Sequence, residues 1–138
     1  MISPEIEAIL NERFGHDSLI ALATIHDGKP AVRAVNALYI DGSFYVITHA
    51  LSGKMQQLAV DPHAAICGEW FTANALGENI GHVRAPENAA LATRLRNAFS
   101  SWYCNGHVDE SDPHTCILRL HLTDGILMHH GTRHELSF

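Results

Sequence analysis

The sequence has no two cysteines placed to act together. Its three, Cys67, Cys104 and Cys116, are odd in number and widely spaced. The absence of a C-x-x-C pair excludes a zinc ribbon and a disulfide framework. Free cysteine packs as a small hydrophobe, so all three are expected as buried thiols. Long apolar runs are also missing. Thr, His, Asn or Gly interrupts each stretch well short of the ~20 residues that a membrane-spanning helix needs. The opening MISPEIEAILNERFG is acidic and lacks the basic-then-apolar pattern of a secretory leader, so the cytoplasm is the expected location. Basic residues are scarce: nine Lys and Arg stand against fifteen Asp and Glu, a net charge of −6. That balance argues against non-specific nucleic-acid binding. No G-x-S-x-G, Walker loop, dinucleotide G-x-G-x-x-G or H-E-x-x-H occurs. Glu69 and Glu78 could be imagined as an acid–base pair, but nothing in the sequence brings them together.

What is present is the material of one globular domain spanning residues 1–138, with 46% hydrophobic and 17% charged residues. A chain of this size buries roughly two thirds of its unfolded surface. Ser3 and Pro4 open a short helix with Ile6, Ile9 and Leu10 on one face. Strands follow at Ser18–Ile25, Ala31–Ile40 and Ser43–His49, with turns at Asp27-Gly28 and Asp41-Gly42. Ser52 caps a second helix, which Asp61-Pro62 stops. His63–Ala73 reads as a strand, Leu76-Gly77 as a turn and Asn79–Arg84 as a strand. A longer helix is expected from Pro86 to about Tyr103. Asp109, Glu110 and Asp112 read as a solvated loop. Thr115–Thr123 and Ile126–His130 read as strands about an Asp124-Gly125 turn. Six or seven short antiparallel strands with two short helices and one longer helix favour a closed, Greek-key-like barrel, because closure removes exposed edges.

Chemistry concentrates between Arg33 and Pro62. Arg33 lies on the second strand and Thr48 at the end of the third, its hairpin neighbour. Thr48 leads into Ser52, Gly53 and Lys54, which occupy a helix N-terminus. Free N–H groups and the helix dipole make such a terminus an anion site. Gly53 permits close approach to the backbone. Lys54 and Arg33 add positive charge, and Thr48 and Ser52 add hydroxyls. These residues predict a phosphate site on an acidic protein, although capping alone also accounts for Ser52.

The ordered set Arg33, Thr48, Ser52, Lys54 and Asp61-Pro62, with its strand–helix pattern, resembles the pyridoxamine 5′-phosphate oxidase-like family of FMN-binding split barrels. The resemblance runs from about Ser3 to Leu122. It implies a split β-barrel homodimer that binds FMN between subunits. Arg33, Thr48, Ser52, Gly53 and Lys54 would hold the phosphate and ribityl chain. Ala34, Val35 and Asn36 would lie along the isoalloxazine edge, with Ile47 near the ring. Glu78 or Asn79 would supply a polar contact from the fifth strand. Trp70 or Trp102 could form an aromatic wall, with core packing the alternative for each. Leu38 stands where the oxidases proper carry a lysine, and Gly53 where a second basic residue often occurs. No counterpart of their substrate-holding Arg/His segment is visible in Ile126–Phe138. The chain therefore looks nearer to the small general-stress or nitroimidazole-reductase-like members, with a small-molecule substrate and a reduced nicotinamide as donor. No side chain stands out as a catalytic acid, base or nucleophile.

Two other readings follow. Eleven histidines are many for this length. His129, His130 and His134, preceded by His107, His114 and His121, could ligate haem, as in another branch of the superfamily, or they could be ordinary strand-end histidines. A further branch uses deazaflavin. The chain could also be a stress-linked flavin carrier without turnover.

Overall fold

Asp27-Gly28 and Asp41-Gly42 fix the first half of the sheet. Both residues of each turn have positive φ, 50° and 75° in the first and 45° and 82° in the second. That is the backbone a tight two-residue hairpin turn requires, and it matches the twist of the strands it joins. The computed structural model describes all residues from Met1 to Phe138. In chain order the elements are α1 (Pro4–Phe14), β1 (Ser18–His26), β2 (Lys29–Ile40), β3 (Ser43–His49), α2 (Gly53–Val60), β4 (His63–Gly68), β5 (Phe71–His82), α3 (Ala89–Ala98), β6 (Thr115–His129) and β7 (Thr132–Ser137). A 3-10 turn at Pro86–Asn88 precedes α3, and a π turn at Tyr103–His107 follows it.

The strands form one antiparallel sheet in the order β3-β2-β1-β4-β5-β6-β7, and β3 pairs with β6 to close six of them into a barrel. β7 adds to the distal half of β6 and leaves its own outer edge unpaired. The barrel is split between β2 and β3. These strands pair only at Leu38–Tyr45, Tyr39–Phe44 and Ile40–Ser43. Beyond that point β2 stays with β1 back to Lys29, while β3 stays with β6 out to His49.

Alternating residues fill the barrel. Ile20, Leu22, Val35, Ala37, Tyr39, Phe44, Ile66, Leu118 and Leu120 belong to the main core, and α1 adds Ile6, Leu10 and Phe14. The Tyr39 hydroxyl donates to Glu7 Oε2 at 2.6 Å and accepts from the Gly42 N–H at 3.0 Å, which pins α1 to the β2–β3 turn. A second core lies outside the barrel, where Leu95, Phe99 and Tyr103 pack on Leu38 and Ile117.

The second half of the chain departs from the sequence reading. Leu76-Gly77 is not a turn but the middle of β5. A Cβ on Gly77 would meet Leu58 Cδ2 at 2.8 Å, so this glycine makes room for α2. The turn falls instead at Glu69-Trp70, where Trp70 takes a φ of 53° and is 70% exposed. Asp124-Gly125 likewise lies inside β6, and a Cβ on Gly125 would meet the Thr72 carbonyl oxygen at 2.7 Å. The last hairpin turn is His130-Gly131. The longer helix is three pieces: a 3-10 turn, α3 and the π turn. Only Cys116 is buried; Cys67 and Cys104 are exposed.

Candidate functional site

Where β2 and β3 part, each exposes one backbone edge to a groove. Such an edge offers unpaired N–H and C=O groups. Val35 and Asn36 line one bank, Val46, Ile47 and Thr48 the other. Lys54 enters from the first turn of α2, and Trp102, His107 and Val108 form the far wall. The groove holds about 460 Å³, within the usual range for a small-ligand site. At the α2 end it continues into a second concavity that also reaches Ser52, His49, Asp112 and Thr115.

The N-terminus of α2 carries an unusual cap. Ser52 has extended cap geometry, with φ −64° and ψ 158°, yet its side chain makes no capping bond. Its Oγ is the single buried side-chain N or O atom without a hydrogen-bond partner. A buried hydroxyl left unpaired costs about 1–3 kcal/mol, and no group of the chain itself offsets that cost at Ser52. Gly53 beside it is not demanded by packing, since a Cβ there would meet only Gln57 Nε2 at an ordinary 3.6 Å. The preceding loop is fixed: His49 Nδ1 accepts from the Leu51 N–H at 3.2 Å, and His49 Nε2 lies 3.0 Å from Asp112 Oδ2.

Lys54 is half-buried, and burial first, then the nearby Arg33 charge, holds its ammonium below the usual lysine pKa range. Neither cation belongs to any of the ion pairs of the fold. Two neighbouring cations without a carboxylate between them favour an anion. The Cys116 thiol, near Lys54, is pushed up by burial.

The structure gathers Val35, Asn36, Ile47, Thr48 and Lys54 in the groove, and Ser52 at its α2 end. Arg33 is placed otherwise. It shares the inward face of β2 with Val35 and Ala37, and its guanidinium lies under α2 at the barrel end. There it donates to Thr24 Oγ1 at 2.7 Å and to Gln57 Oε1 at 2.9 Å. Ala34 is exposed on the outer face of the sheet, and Gly53 lies on the opposite side of the α2 terminus from the groove lining. Glu78 and Asn79 are exposed on β5 and do not reach the groove of their own chain; Asn79 Oδ1 accepts from the Gly81 N–H.

Several residues in and around the groove escaped sequence reasoning. Asp17 accepts from both Asn36 and Trp102, and nothing about an acid between a helix and a strand signals that. Glu110 was expected in a solvated loop. It is instead held by Arg96 at 2.8 and 3.0 Å, by Arg84 at 3.2 Å and by the Tyr103 hydroxyl. These donors, Arg96 foremost, depress its carboxyl to about 2. His129 and His130 stack at 3.9 Å in a shallow hollow with Glu12, Arg13, His16 and Glu69, apart from the groove. No three His, Cys, Asp or Glu side chains are grouped so as to hold a metal ion.

The pyridoxamine 5′-phosphate oxidase family profile matches residues 2–129. The chain belongs to that family. No curated protein matches the sequence. Among solved structures, General Stress Protein 26 from Bacillus anthracis superposes with a TM-score of 0.72 at 13% identity, over 97% of this chain and 99% of that one. An FAD-binding protein from Mesorhizobium loti gives 0.60 at 14%, over 90% and 92%. A heme binding protein from Mycobacterium smegmatis gives 0.67 at 16%, over 88% and 53%. At such identities the likeness is one of fold. Proteins of this fold are thus named for different cofactors.

Proposed function

We propose that the chain binds FMN in the split groove and works as a flavin-dependent oxidoreductase on a small molecule. One observation carries the reading: the buried, unpartnered Ser52 hydroxyl at the head of α2, beside the half-buried Lys54. A phosphate would supply the missing acceptor for Ser52 and the missing counter-charge for Lys54. Arg33 would add charge from beneath the helix, and Thr48 a hydroxyl. The groove beyond is narrow and mostly apolar, with the free edge of β2 at Val35 and Asn36 able to meet the polar edge of an isoalloxazine ring. Ile47 would pack near that ring. FMN, when bound, supplies hydride and electron transfer between a reduced nicotinamide and an acceptor. The groove residues bind it, orient it and exclude water.

The same reading makes the protein a homodimer. Leu19 and Val32 are 68% and 70% exposed. They share the outer sheet face with Ala21, Ala23 and Ala65, and that face runs on to Asn36 at the groove. A second copy seated there would cover the apolar patch and bring its Glu78 or Asn79 toward the flavin. The cytoplasm fits three unpaired thiols, and no helix is long and apolar enough to cross a membrane.

The test is an absorption spectrum of the purified protein after FMN addition and desalting. Retained flavin at one per chain supports the reading. Flavin retained without any NADH or NADPH oxidation makes the protein a carrier. No retained flavin, with a Soret band on adding haem, overturns it.

A further inference from the structure

We infer that Asp17 is a positioning residue that locks Trp102 as the aromatic wall of the groove. The inference rests on the groove being a flavin site. Asp17 lies in the short loop between α1 and β1. Its Oδ2 accepts from Trp102 Nε1 at 2.8 Å and its Oδ1 from Asn36 Nδ2 at 3.0 Å. One carboxylate therefore ties the loop to β2 and to the exit of α3, 85 residues away in sequence.

Both donors belong to groove residues. The indole has a single N–H, and it is committed to Asp17. Its ring is backed by Phe99, with centroids 5.0 Å apart at an interplanar angle of 30°. Trp102 is thus held at its edge and behind, while it still lines the groove. The Asn36 amide is fixed by the same carboxylate, so its Oδ1 remains free as an acceptor. Asp17 forms no ion pair, and charge-assisted bonds to two neutral donors satisfy it. A half-exposed aromatic ring frozen before the ligand arrives offers stacking without ordering cost. Such a wall selects a planar aromatic ring system, which the isoalloxazine is.

The experiment uses the full chain with Trp70→Phe as background, so that Trp102 alone reports. FMN affinity is read by equilibrium dialysis, Trp102 emission by fluorescence and folding by urea denaturation. FMN is expected to quench Trp102. Asp17→Ala and Trp102→Leu should each weaken FMN about tenfold, and Trp102→Phe should recover most of the loss. The double variant Asp17→Ala/Trp102→Leu should lose clearly less than the two single losses combined, because the carboxylate acts mainly through the indole and only the part it exerts through Asn36 is left to lose. A merely structural Asp17 gives additive losses. Asp17→Asn, which keeps the shape of the side chain, serves if the alanine variant does not fold. FMN that binds with Trp102 emission unchanged, or at full affinity in the Asp17 variant that folds, overturns the inference and leaves the flavin site standing. A parent protein that binds no FMN removes both.

Discussion

Arg33 Nη2 donates to Gln57 Oε1 at 2.9 Å, and through this bond the second strand holds the second helix. Gln57 Oε1 also accepts from the Thr24 hydroxyl at 2.6 Å. Three polar side chains thus close the barrel end beneath the proposed phosphate site. Arg33 therefore has two duties. Arg33→Ala should lower stability by about 1–3 kcal/mol, the cost of leaving partly buried partners unpaired, and should weaken FMN as well. Gln57→Ala should share the stability loss and keep more of the affinity. Urea denaturation of the flavin-free protein with FMN titration separates the two. Full stability in Arg33→Ala would show that the pin is idle.

Ser52→Ala reverses the usual result for a helix cap. A capping serine replaced by alanine ordinarily costs about 1 kcal/mol. Here the hydroxyl makes no capping bond and is buried without a partner. The flavin-free variant should unfold at the same urea concentration as the parent or a higher one. FMN affinity should fall by about 1–2 kcal/mol. A drop in urea midpoint would mean that the hydroxyl caps the helix in solution.

Alkaline pH should weaken FMN earlier than an ordinary lysine predicts. Burial and the Arg33 charge lower the Lys54 pKa. As pH rises through that lowered value, the ammonium is lost and phosphate attraction goes with it. Bound phosphate favours the charged form, so binding in this range should take up a proton. Calorimetry in two buffers of different ionisation enthalpy measures the uptake. Lys54→Met should bind more weakly and show no alkaline limb.

Acid acts elsewhere, through Glu110. Its carboxyl sits at about 2 against an ordinary 4.5. A depressed folded pKa contributes stability that is present above the ordinary value and lost as pH falls from about 4.5 through about 2. Because Arg84 and Arg96 are partly solvated, the contribution is about 1–2 kcal/mol. Glu110→Gln should lower stability at pH 7 and flatten the decline below pH 4.5. Circular dichroism in urea at pH 7, 4 and 3 reads both effects. An unchanged acid limb in the variant would assign it to another carboxylate.

Charge on the outer sheet face should dissolve the proposed dimer. Val32→Glu places a carboxylate on the patch it shares with Leu19. Light scattering should report one chain in the variant and two in the parent, with flavin retention reduced. A parent that is already monomeric contradicts the shared pocket.

The first sixty residues were legible because their turns carry their own chemistry. Asp27-Gly28 and Asp41-Gly42 name the hairpins, and Ser52 with Asp61-Pro62 brackets α2. Beyond Pro62 the glycines mean something else. Gly77 and Gly125 are glycine because Leu58 and the Thr72 carbonyl come too close for a side chain. Such crowding is a property of packing, which local sequence does not encode, so both were read as turns. The real turn has Glu69 and Trp70 at its centre, neither of them a turn former. The site divided in the same way. Ser52, Thr48 and Lys54 could be found because a helix start is a local signal. Asp17 and Gln57 could not, because each acquires its partner only when distant segments meet, and the same reason left Trp102 undistinguished from Trp70 as the aromatic wall.

The outer edge of β7 bears on behaviour at high concentration. A free strand edge is a template on which another chain can grow. This one is only six residues long, Thr132 to Ser137, and carries Arg133 and Glu135 bound to each other at 2.6 Å. A neighbour adding here would have to strip water from both charges along a short, polar strip. The last strand thus works as a terminator of the sheet, and neutralising its two charged residues should leave an edge more open to pairing with another chain.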